Sequence, residues 1–524
     1  MTVQEYSWRA HIRLFVACGI MTLSPFQYGI DFGMIGGLQA MVGFLKVYGY
    51  PVPKTVSPSG WNIATERQQL ISSLMTLGAF LSAATAGIVA NKFGRKICLV
   101  LACVICCIAN VLMMATENIV ALYIGRLVIG LANGYFMTFS QLYIQESSTA
   151  KYRGWFLTVF QLFTSFGTLI GTIVDWATSK RPDKSAYLIP LGLIYVIPVF
   201  LTISMYFIPE SPRWLILQGR QEEGIKALEW LRPEGFDYSA EAAEIKAAID
   251  KEKELSSQAA WVDMFRNPVD RRRTLLAVGA VTLQAASGSM FIIAYKAYFL
   301  TMAKVSNPFA MSNVLSTIGI VAIIANSFII VKFGRRRVLL MTGLLFCGLL
   351  QLIIAIVYMK QPGTKSTGTV IIALSSIYMF SYNGMIAPYA WLAGGEIPSQ
   401  RMRSHTFGLA AAVGFAGAWL TTFTAPYFIN PQALGWGPKY GFIWAPSCVI
   451  AAAWVFLFLP EVKNRTLEEI DEMFDARLSP RKFRKYQCVG VSVDASGRKS
   501  IEEEHVIDIL KNEKVQTETA VTKE

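Results

Sequence analysis

The chain has 524 residues, of which 53% are hydrophobic and only 16% are charged. This composition excludes an ordinary water-soluble fold of that length and indicates a membrane protein. The formal net charge is +13, but the basic residues lie in short clusters between long apolar runs, which argues against a nucleic-acid-binding surface.

Twelve apolar segments are long enough to cross a bilayer as helices of about 20 residues. They start near Leu14, Leu70, Ile97, Val120, Trp155, Tyr187, Arg273, Phe309, Val338, Thr369, His405 and Tyr440. The polar interruption after the sixth has apolar residues at helical spacing. The sequence predicts an all-α membrane protein with an N-terminal segment (1–13), a six-helix bundle (14–210), a helical linker (211–272), a second six-helix bundle (273–459) and a tail (460–524).

The distribution of Lys and Arg predicts the orientation, because cytoplasmic loops carry an excess of both. Basic clusters follow the second and eighth spans, and another, Arg271–Arg273, closes the linker. We therefore expect the linker and both termini in the cytoplasm. The first apolar run, from Leu14, is long enough to remain as a membrane helix instead of being cleaved as a signal peptide.

Metal binding and enzymatic catalysis are not indicated. Most of the eight cysteines lie inside apolar runs without zinc spacing, and the chain has only three histidines. No nucleophile, base and orienting group occur together in a recognisable pattern. We expect no metal, no organic cofactor and no enzyme activity.

Three short motifs occur twice. The stretch KFGRK at Lys92 recurs as KFGRR 240 residues later, at Lys332. Glu146 and Arg153, seven residues apart, recur as Glu396 and Arg403; PESPR around Glu210 recurs as PEVKNR around Glu461. Each pair lies beside equivalent spans, which indicates two copies of one bundle. Parallel repeats with a binding site between them are a known plan of transporters.

From Ser7 to Tyr486 the chain resembles the sugar porters of the major facilitator superfamily. The resemblance is carried by YGIDFG in the first span, GRLVIG in the fourth, the two KFGR loops, PESPRWL and PEVKNRTLEEID. It implies a major facilitator fold of twelve transmembrane helices in two six-helix bundles. It also implies proton-coupled uptake of a sugar by alternating access, with a monomer in the plasma membrane as the working unit.

Asp31 is an acid inside the apolar first span, where an unpaired charge is costly. It therefore needs a cationic partner or a proton. By resemblance, Arg126 of the fourth span faces Asp31, and Asp31 carries the coupling proton. Facilitative relatives commonly have Asn at this position. The alternative is a static buried pair, or an acid at the aqueous mouth of the first span.

The resemblance also places a sugar-binding site between the bundles. It assigns Gln161, Gln284 and Trp391 to the substrate, and Tyr28 is a further aromatic candidate. Four polar residues of the family pattern are replaced here, by Ala285, Met290, Gly319 and Gly414. We interpret these replacements as a widened cavity, which favours an α-glucoside or disaccharide over a hexose and agrees with a similarity to fungal α-glucoside permeases.

Two other functions remain open. Lys296, in the outer half of the seventh span, would suit the carboxylate of a sugar acid such as quinate, so the chain could carry a sugar acid or a polyol. A non-transporting sugar sensor that signals through its tail is the second alternative.

Eight charged residues of the repeated motifs form a predicted cytoplasmic gate. Charge-assisted Arg–carboxylate pairs are strong, and they would clamp the two bundles when the carrier opens outward. The residues are Arg95, Glu146, Arg153, Glu210, Arg335, Glu396, Arg403 and Glu461. Asn91 and Val331 depart from the acidic residues of the family pattern, which predicts a looser clamp. Alternatively, the basic residues only set the topology.

Overall fold

The computed structural model describes residues 8–54, 57–257, 262–333, 335–399, 401–463, 465, 467–486, 492–493 and 499–500. The predicted departure at Val331 concerns a side chain outside the described part, and most of the tail beyond Tyr486 also lies outside it. Within the described part, long helices account for nearly all of the structure.

The first half contains nine helices and one short hairpin. After a 3₁₀ turn at Trp8–His11, the elements are α1 (Ile12–Met21), α2 (Leu23–Leu38), α3 (Val42–Tyr48), β1 (Tyr50–Pro51), β2 (Trp61–Asn62), α4 (Thr65–Phe93), α5 (Arg95–Ala115), α6 (Ile119–Ser147), α7 (Ala150–Thr178), α8 (Ser185–Leu193) and α9 (Val196–Phe207). The strands β1 and β2 pair antiparallel. The α1–α2 stretch and α3 form one span bent by 75°.

The linker contains four short helices, α10 (Pro212–Leu217), α11 (Gln221–Leu231), α12 (Tyr238–Ser257) and α13 (Asp263–Arg266). A small apolar core that includes Ile216, Leu228 and Ile249 holds α10, α11 and α12 together. Arg232 donates a hydrogen bond to the carbonyl of Ser147 at 2.8 Å and pairs with Glu241. These contacts attach the linker to the end of α6.

The second half repeats the plan and ends in the tail. Its elements are α14 (Pro268–Ala286), α15 (Ser289–Met302), α16 (Pro308–Phe333), α17 (Arg336–Lys360), α18 (Lys365–Ser381), a π-helical turn (Tyr382–Ile386), α19 (Ala387–Glu396), α20 (Arg403–Ile429), a 3₁₀ turn (Gly437–Tyr440), α21 (Gly441–Phe458), α22 (Leu467–Asp475), a 3₁₀ turn (Phe483–Lys485), β3 (Ser492–Val493) and β4 (Lys499–Ser500). The strands β3 and β4 pair antiparallel. Gly288, with φ of 75°, separates α14 from α15.

The predicted twelve-helix membrane fold is confirmed. In the described residues, eleven helical stretches are long and apolar enough to span a membrane, and the bent α1–α3 unit is the twelfth. Each half buries its own apolar core. Large apolar side chains such as Ile88, Phe328 and Ile450 point outward, with exposed fractions of 75%, 76% and 70%. An exposed apolar surface of this kind suits contact with lipid.

Close helix packing depends on glycine at particular crossings. A Cβ at Gly130 of α6 would overlap the backbone carbonyl of Met75 in α4, and a Cβ at Gly29 of α2 would overlap that of Thr164 in α7. Small residues that let backbones approach are typical of membrane helix interfaces. The packing of α2 on α7 and of α4 on α6 thus fixes the helices that carry the charged centre described below.

Two faces of the molecule can be distinguished. We call the side that carries α10–α13 the linker face, and the side that carries the β1–β2 hairpin the hairpin face. Gly94, between α4 and α5, lies at the linker face, because the next two backbone N–H groups donate to Glu210 just before α10. The halves contact each other where α2 meets α15, α7 meets α16 and α4 meets α20.

A buried set of amides joins the halves at the hairpin face. Asn62 donates to Asn430 Oδ1 at 3.0 Å, and Asn430 donates to Gln68 Oε1 at 2.9 Å. Asn430 also donates to the carbonyl of Ile63 at 2.9 Å. We call Asn62, Gln68 and Asn430 the hairpin-face amide cluster; none of the three is more than 2% exposed. The hairpin face is therefore closed in this conformation.

Candidate functional site

A fully buried ion pair lies inside the first half. Arg126 of α6 donates from Nη1 to Asp31 Oδ1 of α2 at 2.8 Å, and each residue is 1% exposed. Arg126 also donates from Nε to the carbonyl of Ile71 at 3.2 Å. A charge in a low-dielectric interior requires such partners. The structure thus brings together the two residues that the sequence predicted as the coupling pair.

Asn133 completes this centre, although it was not among the residues predicted from the sequence. Its Nδ2 donates to Asp31 Oδ2 at 2.7 Å, so each oxygen of the carboxylate accepts a hydrogen bond. The signal was present in the sequence, because Asn133 is an amide in an apolar span, seven residues after Arg126. Positions i and i+7 lie on the same face of a helix.

The predicted substrate residues of the first half lie on α2 and α7. Gln161 is exposed, and Tyr28 is half-buried and stacks on Phe32 with ring centres 5.8 Å apart. Near the linker face, Gly154 of α7 has open space around the position of a Cβ, as has Gly408 of α20. Gly154, Gly408 and Gln161 are therefore exposed positions of α7 and α20 in the part of the molecule away from the amide cluster.

The predicted substrate residues of the second half lie next to each other. Gln284 of α14 donates to the carbonyl of Ala387 at 2.9 Å, one helical turn before Trp391 on α19. Trp391 is half-buried. It makes edge contact with Phe407, with ring centres 6.0 Å apart, and its ring is tilted against that of Phe415, with ring centres 6.4 Å apart. An amide beside an aromatic face is a suitable lining for a sugar, which has hydroxyl groups and apolar C–H faces.

The interpretation of a widened cavity is wrong at two of its four positions. A Cβ at Gly414 would lie 2.7 Å from Cγ1 of Val281, so the neighbouring helix fills this space. A Cβ at Gly319 would lie 3.1 Å from Nδ2 of Asn383, so an amide from the π-helical turn occupies that place. Asn383 could not be identified from the sequence, because the π-helical turn changes which side chains of the tenth span face α16.

A charged cluster closes the linker-face end of the first half. Arg95, the first residue of α5, pairs with Glu146 at 2.7 Å, and the other oxygen of Glu146 accepts a hydrogen bond from Ser211 at 2.6 Å. Glu210 accepts the backbone N–H groups of Arg95 and Lys96. Burial raises the pKa of Glu210, while these N–H donors favour its charged form.

The second half repeats this cluster with a shift of one residue. Arg336, the first residue of α17, pairs with Glu396, whereas the prediction named Arg335, whose side chain is exposed. Glu461 accepts the backbone N–H groups of Arg336 and Arg337, as Glu210 does in the first half. The shift follows from the helix starts: α5 begins at the Arg of KFGRK, Arg95, whereas α17 begins one residue later in KFGRR, at Arg336.

The predicted clamp between the halves is not formed by these pairs in this conformation. Arg95–Glu146 lies within the first half and Arg336–Glu396 within the second. Arg153 donates to the carbonyl of Ser148 at 3.5 Å, and Arg403 donates to that of Gly395 at 3.0 Å. The gating role of the eight predicted residues therefore stays a prediction for a conformation closed at the linker face.

Lys296 is buried instead of lining an open cavity. It is 3% exposed, and its Nζ donates to Ser316 Oγ at 2.6 Å. Asp175, an acid of α7 that was not among the predicted residues, is 2% exposed. It lies in the opposite half, one helical turn after Thr172, whose Oγ1 is 3.5 Å from Ser316 Oγ.

The structure has two repeated six-helix halves, a buried ion pair in the first half and a seam between the halves. These features define a multi-pass membrane carrier of the major facilitator type. The chain belongs to the family described as "Sugar (and other) transporter", whose model matches residues 17–474. The resemblance stated from the sequence motifs is thereby confirmed.

Among curated proteins, the chain is similar to the high glucose sensor RGT2 of Saccharomyces cerevisiae, with 28% identity over 477 residues. That match covers 88% of this chain but only 60% of the sensor's length. The high-affinity glucose transporter ght2 of Schizosaccharomyces pombe is 24% identical and is matched over 90% of its length and 92% of this chain.

Among solved structures, the chain is similar to the xylose transporter XylE from E. coli in a partially occluded inward-open conformation. The TM-score is 0.70 at 18% identity, over 87% of this chain and 100% of the other. At this identity the match supports the fold.

Proposed function

We propose that the protein carries a sugar across the membrane together with a proton, by alternating access. The observation that carries this proposal is the buried pair of Asp31 and Arg126, because a titratable acid with a fixed cationic partner can exchange that partner for a proton. The names of the relatives support the sugar, and a XylE structure described as that of a proton:xylose symporter supports the coupling ion.

The geometry suggests how the proton would act. With the hairpin face closed, Arg126 and Asn133 each donate a hydrogen bond to Asp31. When the hairpin face opens, protonation of Asp31 would release Arg126 and favour the state that captures substrate. After the halves rock, loss of the proton towards the linker face restores the ion pair. The proton gradient drives the cycle, and the difference in the proton affinity of Asp31 between the two conformations couples this gradient to sugar transport.

The proposed substrate is a hexose or a sugar of similar size. Gln161, Gln284, Asn383 and Trp391 would supply hydrogen bonds and a stacking face, and Tyr28 is the further aromatic candidate. Because Val281 fills the space at Gly414 and Asn383 supplies an amide beside Gly319, two of the four grounds for a disaccharide are lost. Competition of hexoses, α- and β-disaccharides and sugar acids against uptake tests this order of preference.

A sugar acid is less well supported by the site. Lys296 was the reason for considering a sugar acid. Its ammonium group donates a hydrogen bond to Ser316, and a buried acid of opposite charge, Asp175, lies across the seam. A cation that already has a buried counter-charge offers little attraction to a substrate carboxylate. This conclusion would be reversed if quinate inhibited uptake at lower concentrations than glucose does.

We propose that the linker face is cytoplasmic, as the Lys and Arg distribution predicts, and that the carrier works as a monomer in the plasma membrane. Both termini would then lie inside. Addition of a membrane-impermeant protease to intact cells tests the orientation: an epitope placed in the linker should remain protected.

Replacement of the coupling acid tests the proposed mechanism. In proteoliposomes with an imposed pH gradient, the unmodified protein should accumulate sugar above its equilibrium level. Asp31→Asn should abolish accumulation but preserve exchange of labelled for unlabelled sugar, because the amide keeps the shape of the site and cannot titrate. Asp183→Asn, an exposed acid at the hairpin face, is the matched control and should accumulate sugar normally.

The same measurement separates a carrier from a sensor. Similarity to a glucose sensor makes a receptor the second candidate. A receptor would bind sugar without moving it, so the absence of both accumulation and exchange in the unmodified protein would favour the sensor. Accumulation that persists in Asp31→Asn would instead retain the carrier and contradict the assigned role of Asp31.

A further inference from the structure

A second set of opposite charges, separate from Asp31 and Arg126, lies at the seam between the halves. Asp175 is three residues before the last residue of α7 in the first half. Lys296 lies on α15 in the second half, directly after the non-helical backbone of Tyr295. Both side chains are almost completely buried, with exposed fractions of 2% and 3%. Isolated buried charges are costly, so this placement requires an explanation.

A chain of polar contacts runs across the seam from Lys296 to α7, the helix that carries Asp175. Lys296 Nζ donates to Ser316 Oγ at 2.6 Å, and Ser316 Oγ is 3.5 Å from Thr172 Oγ1 of the opposite half. Thr172 is one helical turn before Asp175 on α7. Lys296 and Asp175 therefore lie on opposite sides of the contact between α7 and α16.

The carboxylate of Asp175 has an unusual environment. Both of its oxygens are buried and have no hydrogen-bond partner among the described residues. It packs against Gly37 at the end of α2, where a Cβ would overlap the carboxylate. The buried cation across the seam is Lys296, on α15. By contrast, Asp31 has a donor on each oxygen, so Asp175 lacks the hydrogen bonds that stabilise the other buried acid.

Closure of the hairpin face creates this arrangement. The side chains lie where α7 meets α16 and α2 meets α15, which are contacts between the halves. Separation of the halves at this face would return both charges to water, and closure buries both at once. Burial of a single charge is strongly unfavourable, whereas burial of two opposite charges near each other costs much less.

We propose that Asp175 and Lys296 are a charge-compensating pair of the hairpin-face gate: each allows the face to close because the other neutralises it. The pair is then part of the transport machinery in addition to Asp31 and Arg126. This inference uses the alternating access of the proposed function but is independent of the substrate and of proton coupling.

A double-mutant cycle tests the proposal without any transport assay. Ile320 of α16 is one turn beyond Ser316 and 5% exposed, so Ile320→Cys places a thiol in the closed seam. The rate of labelling by a water-soluble maleimide is then measured in membranes for Asp175→Asn, Lys296→Met and the double variant. Labelling of the same variants without Ile320→Cys corrects for the native cysteines.

Each single variant should raise the labelling rate about tenfold or more, because it leaves one buried charge uncompensated and the closed face becomes less populated. The double variant should return to within about threefold of the unmodified rate. The matched control Asp183→Asn should leave the rate unchanged. The proposal is overturned if the singles label at the unmodified rate, or if the double labels as fast as the singles.

Folding of the variants is read in the same membranes. The single variants could fail to reach the membrane as folded protein. In that case two other variants test the compensation: the charge exchange Asp175→Lys with Lys296→Asp, and the neutral double variant. Recovery of folded protein in both supports compensation, and failure of both overturns it. Sugar uptake by the unmodified protein is measured separately, so failure of the gate proposal leaves the proposed transport function unaffected.

Discussion

Arg335 and Arg336 are adjacent arginines whose environments differ sharply. Arg336 pairs with Glu396 in a partly buried contact, and Arg335 is exposed. We expect Arg336→Ala to destabilise the protein by about 1–3 kcal/mol, because it removes a charge-assisted hydrogen bond and leaves Glu396 without its cation. Arg335→Ala should change stability by less than about 0.5 kcal/mol. Thermal unfolding in detergent measures both, and equal losses would contradict the one-residue shift.

Individual functional residues were predictable where a charge stood out against an apolar background. Asp31 and Arg126 are identified in this way, with the family resemblance supplying their pairing. Asn133 escaped notice because an uncharged amide stands out less from an apolar span. Asp175 was not predicted because it lies near a span end, where an acid is ordinarily solvated. Only the packing of α7 on α2 and α16 buries it.

Helix crossings differ in how much space they leave for side chains. Gly130 of α6 contacts the backbone of α4, whereas Gly87 of α4 is exposed with open space around it. We expect Gly130→Ala to destabilise the first half by about 1–3 kcal/mol through overpacking. Gly87→Ala should be neutral or stabilising by up to about 1 kcal/mol, because Ala favours a helix interior. Detergent melting temperatures compare the two, and a destabilised Gly87→Ala with an unaffected Gly130→Ala would refute the argument.

The twelve spans could be predicted because bilayer thickness sets a minimum apolar length. Their interruptions could not be placed as well. Gly288 breaks the seventh span and a π-helical turn modifies the tenth, but the hydropathy of both spans continues across these points. The same limit explains the error at Gly414, since absence of a side chain indicates either a cavity or close packing, and only the position of Val281 distinguishes them.

The relation between the two halves is a property of the whole chain in one conformation. The repeated motifs predicted two similar bundles, which the structure shows, but the sequence could not indicate which face is closed. A carrier populates conformations that differ by a few kcal/mol, and one sequence encodes all of them. In this conformation each linker-face ion pair lies within one half, whereas the amide cluster joins the two halves at the hairpin face.

The hairpin-face amide cluster should set how often this face opens. Asn430→Ala removes the bonds to Asn62, to Gln68 and to the carbonyl of Ile63, and it leaves buried partners unsatisfied. We expect the closed face to lose about 2 kcal/mol, which corresponds to a shift of about thirtyfold in the ratio of open to closed molecules. Spin labels at the exposed positions Lys180 and Lys365, one in each half, report this shift as a longer distance between labels.

The control for this measurement is Asn118→Ala, which removes an exposed helix cap at the same face without touching the seam. It should lower stability slightly but leave the distance distribution unchanged. If Asn430→Ala gives the distribution of the unmodified protein, the amides only fill space at the seam. Closure would then depend on the apolar contacts and on Asp175 with Lys296, whose compensation acts only after the two halves have met.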